Sequence, residues 1–150
     1  MTLKNKINQA MKVAMKAKDK ATLRALRSIK SMILLAETAE GADGNGLTEK
    51  EEIKLLSKAA KQRKESYEQY MKNGREDLAK IEKEELDVIQ QYLPKQMSEA
   101  ELTEALKEIV AKVGATSMRD MGKVMGMATK QFAGKADGKT IAKIVRSLLG

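Results

Sequence analysis

Apolar residues recur every three or four positions along most of this chain, the spacing of helices that bury one face. Leu3, Ile7, Ala10, Met11 and Ala14 share one side of a first helix starting after Thr2, with Lys12, Lys16 and Lys20 opposite. Asp19 suits the N-cap of a second helix carrying Leu23, Leu26, Ile29 and Ile33. Residues 32–36 are apolar nearly all round, which predicts the most buried helical segment. After a glycine-rich loop over 41–47, Thr48 and Glu51 form a capping box that opens a third helix. Ile53, Leu56, Ala60, Tyr67 and Met71 face inward on it, with Lys54, Lys58 and Lys61 outward. Asn73-Gly74 ends it, and a fourth helix runs from about Arg75 toward Pro94 with Leu78, Ile81, Ile89 and Tyr92 inward.

Pro94 marks a domain boundary. Ser98 and Glu101 make a second capping box, for a helix carrying Leu102, Leu106, Ile109 and Val113 that Gly114 ends. Met118, Met121, Met125, Ala128 and Phe132 then line one side of the next helix, while Arg119, Lys123 and Lys130 line the other. Gly134 suits a left-handed helix end, and Asp137 the N-cap of a last helix with Ile141, Ile144, Val145 and Leu148 inward and Lys139, Lys143 and Arg146 outward. The pattern predicts an all-α protein of seven helices in two small bundles, a four-helix part over 1–95 and a three-helix part over 96–150.

Two features break the helical rules. Gly122 and Gly126 lie four apart inside a helix, where each costs about 1 kcal/mol relative to Ala, so something is expected to approach the backbone there. Arg63 and Glu85 each interrupt the apolar stripe of one arm of a helical hairpin. Since neither charge tolerates burial alone, they are expected to pair.

Composition narrows the function. One proline, one phenylalanine and no tryptophan argue against a β-sandwich. No signal peptide and no long uncharged apolar run is visible, so cytoplasm is the default expectation and no membrane partner is expected. The net charge of +8 is uneven: residues 1–40 carry +6, 41–94 carry −2 and 95–150 carry +4. Basic ends around an acidic middle suit a polyanionic partner. With no His and no Cys, the commonest general base and the thiol nucleophile are missing, and no cluster has zinc-ligand spacing. Asp43, Asn45, Gly46 and Glu52 sit at EF-hand offsets, but Gly41 stands where the first ligand is needed. Neither catalytic residues, a metal nor a cofactor is expected.

A resemblance rests on particular stretches. Met121-Gly122-Lys123-Val124-Met125-Gly126 followed by Gly134-Lys135-Ala136-Asp137-Gly138 resembles the C-terminal signature of the YqeY family, itself similar to the tail domain of GatB, a subunit of tRNA-dependent amidotransferases. The likeness continues upstream through Tyr92-Leu93-Pro94-Lys95-Gln96-Met97-Ser98, Arg75-Glu76-Asp77-Leu78, Lys61-Gln62-Arg63-Lys64-Glu65-Ser66 and Leu26-Arg27-Ser28-Ile29-Lys30. It implies a helical module of the kind those amidotransferases use to hold tRNA away from their active site. It would also carry over a label of carbon–nitrogen ligase with glutamine as amide donor, although the catalytic machinery of those relatives lies in parts this chain does not contain.

The expected function is therefore a non-catalytic module for tRNA or other structured RNA. Its expected contacts are Lys20, Arg24 and Arg27 on the second helix, and Gly122, Lys123, Gly126, Lys135, Lys139 and Lys143 near the C-terminus. The alternative is a protein-interaction or accessory module for a partner of the amidotransferase type, in which the glycine faces receive another protein's helix.

Overall fold

The computed structural model describes residues 1–150 and is helical throughout, with no strand. The helices are α1 (Leu3–Lys16), α2 (Lys20–Glu37), α3 (Glu49–Lys72), α4 (Glu76–Gln90), α5 (Glu99–Val113), α6 (Met121–Gln131) and α7 (Gly138–Leu149), with a 3-10 turn at Met118–Asp120 before α6. They fall into two compact units, Met1–Leu93 and Pro94–Gly150.

Side-chain caps set most helix starts. Thr2, Asp19, Thr48, Ser98 and Asp137 each accept a backbone N–H of the first turn, and the boxes at Thr48/Glu51 and Ser98/Glu101 close reciprocally. In the N-terminal unit α3 packs mainly on α4, and α2 on α1 and α4, whereas α2 and α3 touch little. Ile7, Leu26, Ile29, Ile33, Leu56 and Ile89 are sealed at its centre, each contributing about 1.5–3 kcal/mol by burial.

Helical period alone misplaced several side chains here. Residues 32–36 are not the most buried segment: Ile33 is enclosed, but Leu34 and Leu35 are 40% and 71% exposed. A helix can bury only the faces its neighbours cover, and α3, packed mainly on α4, covers little of this one. Met71, in the last turn of α3, is likewise exposed, and so is Ile81, because the buried stripe of α4 runs through Ala79, Glu85, Leu86 and Ile89. α4 also ends at Gln90, short of Pro94.

In the C-terminal unit α5, α6 and α7 close on Leu106, Val124, Ala128, Phe132, Ile141 and Val145. Met118, expected inward, is 46% exposed, since the 3-10 turn rotates it out of the register of α6. Val124, two places from each glycine, is the fully enclosed anchor instead.

Candidate nucleic-acid interface

The start of α6 is tightly tied. The Asp120 carboxylate accepts the amides of Thr116 at 3.0 Å and Ser117 at 3.4 Å, while the Ser117 hydroxyl accepts the Arg119 amide. These amide bonds, that from Thr116 foremost, hold the Asp120 carboxyl below its usual range, and the charge of Lys123 adds to the effect. Thus anchored, α6 turns Val124 and Ala128 into the core and leaves Arg119, Gly122, Lys123, Gly126 and Lys130 exposed on the opposite side. A Cβ added at Gly122 or Gly126 would meet nothing within 4 Å. The expected close approach to these glycines is therefore not made within the C-terminal unit. The helix packs through its other face, and what the glycines leave is a strip of open backbone flanked by cations.

The link from α6 to α7 is fixed by glycine geometry and by cross-bonds. Gly134 adopts φ +75°, which an L side chain rarely takes, and the amides of Lys135 and Ala136 both return to the Phe132 carbonyl. The Met97 amide donates to the Lys135 carbonyl at 2.9 Å, and Gln96 Nε2 donates to the Gly134 carbonyl at 2.6 Å. The segment ahead of α5 thereby clamps the turn, and Pro94 and Lys95 go with the C-terminal unit.

At the start of α7, Asp137 accepts the Thr140 amide at 2.9 Å and the Thr140 hydroxyl at 3.1 Å. The chain's own carboxylate therefore occupies the helix start that could otherwise draw an anion. Lys135, Lys139, Lys143 and Arg146 are exposed, so the anion-attracting groups of this region are side chains.

The N-terminal candidates fare differently. Lys20 and Arg27 are exposed, but Arg24 Nη2 lies 2.8 Å from Glu84 Oε2 and its Nε lies 3.6 Å from Glu85 Oε1. Arg24, expected to be open to RNA, is turned across the bundle onto α4. Arg63 Nε sits 3.3 Å from Glu85 Oε2, Arg63 Nη1 sits 3.3 Å from Glu82 Oε2, and Nη2 donates to Ser28 Oγ at 3.2 Å. Sequence reasoning named only Arg63 and Glu85 of this network. Glu82 could have been found, because it lies one turn before Glu85 on the same side of α4. Arg24 and Ser28 could not, because nothing local in α2 indicates which helix it faces.

No group of three or more His, Cys, Asp or Glu side chains is placed to hold a metal ion, and no helix is long and apolar enough to cross a membrane. The C-terminal unit presents a basic, partly side-chain-free helix face over an apolar interior.

An all-helical protein of two units with a basic C-terminal helical face is the class these features define. The chain belongs to the YqeY family: the family described as Yqey-like protein matches residues 4–149. It is similar to the proteins called altered inheritance of mitochondria protein 41, mitochondrial. The one from Pyrenophora tritici-repentis is 30% identical over 93% of this chain and 77% of its own length. The one from Clavispora lusitaniae is 35% identical over 70% of this chain and 61% of its own, and the one from Meyerozyma guilliermondii 34% over 99% and 74%.

These names overturn the expectation of a cytoplasmic protein, because the relatives are called mitochondrial. That expectation rested on the lack of a secretory signal or apolar span and took the basic, acid-poor start of the chain, which has the character of an organellar transit peptide, for the first helix of the fold alone.

Proposed function

We propose that this protein is a non-catalytic module that binds structured RNA of the tRNA class through the exposed face of α6 and the basic side of α7. The observation that carries the reading is the pairing of Gly122 and Gly126 with Arg119, Lys123 and Lys130 on one exposed face. Two residues without side chains let a sugar–phosphate backbone come near the helix, and the neighbouring cations neutralise it. Lys135, Lys139 and Lys143 extend the positive field of this unit, and on the N-terminal unit Lys20 and Arg27 are exposed cations. The ion-paired cations support the choice of unit. Lys4, Arg24, Arg63, Arg75 and Lys83 of the N-terminal unit have carboxylate partners, whereas in the C-terminal unit the ion pair is that of Lys107 with Glu104, both on α5. The family likeness to the tail of a tRNA-dependent amidotransferase subunit agrees with the reading. A ligase activity is not proposed, and the relatives' names make a mitochondrial tRNA a natural first probe.

The test is a salt titration of tRNA binding by the full chain. Replacing Lys123, Lys135, Lys139 and Lys143 together by Gln should leave the helical signal intact and weaken binding. The slope of log affinity against log salt should drop by roughly one unit for each phosphate that is no longer neutralised. A folded quadruple variant with unchanged affinity and slope would remove this surface from consideration. No tRNA binding by the unaltered chain at low salt would favour the reading in which the glycine strip receives a partner protein's helix.

A further inference from the structure

α2 and α3 touch little, and an open groove of about 540 Å³ lies between them within the N-terminal unit. Its walls are apolar, built from Met32, Leu35 and Ala39 on one side and Leu55 on the other, with Leu47 from the connecting loop. Leu35 is 71% exposed, an apolar side chain for which the chain itself supplies no cover. On α3 the lining runs from Glu51 to Gln62, about three turns or roughly 16 Å, enough to lie along a short helix.

Charge specifies what would fit. Lys54 and Lys58, both exposed and one turn apart, stand on the rim. Glu51, the single acidic residue of the lining, keeps its charge but is tied back to the start of α3, its Oε2 accepting the Thr48 amide at 2.7 Å in the capping box, so two lysines stand against one carboxylate. The net charge of the lining is positive, carried by Lys54 and Lys58 beside an apolar trough. A nucleic acid would find no aromatic side chain there to stack on. A second copy of this groove would bring lysines against lysines.

We propose that the α2–α3 groove docks an amphipathic helix of a partner protein, with an apolar face that seats over Leu35 and Leu55 and an acidic flank that meets Lys54 and Lys58. This surface is separate from the basic face of α6 and does not depend on RNA binding.

The probe is a fluorescein-labelled synthetic helix of about five turns, with leucines at i, i+3, i+4 and i+7 and glutamates along one flank, set against its counterpart with lysines on that flank. Fluorescence anisotropy with the full chain should give at least about ten-fold tighter binding of the acidic peptide, a preference that added salt narrows. Leu35→Asp, at an exposed position, should leave the circular dichroism unchanged and weaken binding about ten-fold or more. Lys54→Glu with Lys58→Glu should invert the preference between the two peptides. Equal affinity for both peptides, no binding of either, or binding insensitive to Leu35→Asp would overturn the proposal. So would a concentration-dependent dimer that Leu35→Asp dissolves, which would give the groove to a second copy of the chain.

Discussion

Arg63 Nε stands 3.3 Å from Glu85 Oε2, while the other oxygen of the same carboxylate lies 3.6 Å from Arg24 Nε. Glu85 is the one charged residue in the buried set of this protein, at 8% exposure, and it joins α2, α3 and α4 through two guanidinium groups. The two arginines are half-buried or exposed and can regain water if the carboxylate is lost, whereas Glu85 has little access to water.

Because two arginines share this one carboxylate, its loss touches both pairs and the loss of either arginine only one, which orders the substitutions. Glu85→Ala leaves two guanidiniums facing each other without their shared anion and should destabilise by about 2–3 kcal/mol, under the value of about 3–5 kcal/mol for a fully enclosed pair. Arg63→Ala should cost about 1–2 kcal/mol, because Arg24 continues to compensate Glu85. Urea unfolding of each variant checks the order. Equal losses would mean that Arg24 does not share the charge.

Gly122→Ala and Gly126→Ala should each raise stability by up to about 1 kcal/mol, since both sites are helical and a Cβ there meets nothing within 4 Å. If RNA lies on this face, the same changes should weaken tRNA binding while raising Tm. Parallel thermal melts and binding isotherms would separate the two effects. A gain in stability with unaltered binding would leave the glycines without a part in RNA recognition.

Gly134→Ala should act the opposite way. At φ +75° the new Cβ is strained, and a loss of about 1–2 kcal/mol is expected from the same substitution that stabilises α6. The clamp from Met97 and Gln96 onto this turn should loosen with it, seen as faster amide exchange at Met97.

Asp120 gives the C-terminal unit a pH dependence of definite sign. Its folded-state pKa lies below the ordinary value of 3.8, so it binds a proton less readily folded than unfolded. Its contribution is present in full above that value and is lost as pH falls through the lower, folded one. Asp120→Asn should flatten the acid limb of stability below about pH 4. Unfolding midpoints of both proteins across that range are the measurement. A limb unchanged in the variant would show that other carboxylates govern it, with Asp19, lowered by the Thr22 hydroxyl and amide, the first to examine.

The helices were readable in the sequence because what starts and stops them is local. Thr48 with Glu51, Ser98 with Glu101, Asp19 and Asp137 are caps whose partners lie within a turn, and the three-to-four spacing of Ile7, Leu26, Ile29, Leu102, Leu106 and Ile144 needs no knowledge of any other helix. The cations of α6 and α7 were legible for the same reason, since period alone puts Lys123 opposite Ala128 and Lys143 opposite Ile141.

Only the tertiary structure decided which surfaces have neighbours. Leu35 reads as core by composition and stands exposed because α3 packs on α4 and leaves the side of α2 open. Arg24 reads as a surface cation and is drawn onto Glu84 and Glu85 because α2 lies against α4. Gly122 and Gly126 read as a packing site and face open space because Val124 and Ala128 carry the packing of α6. Each of these outcomes depends on pairings between helices far apart in the chain. The burial and charge compensation that govern them are properties of which faces meet, and the periodicity of a single helix carries no record of its partner.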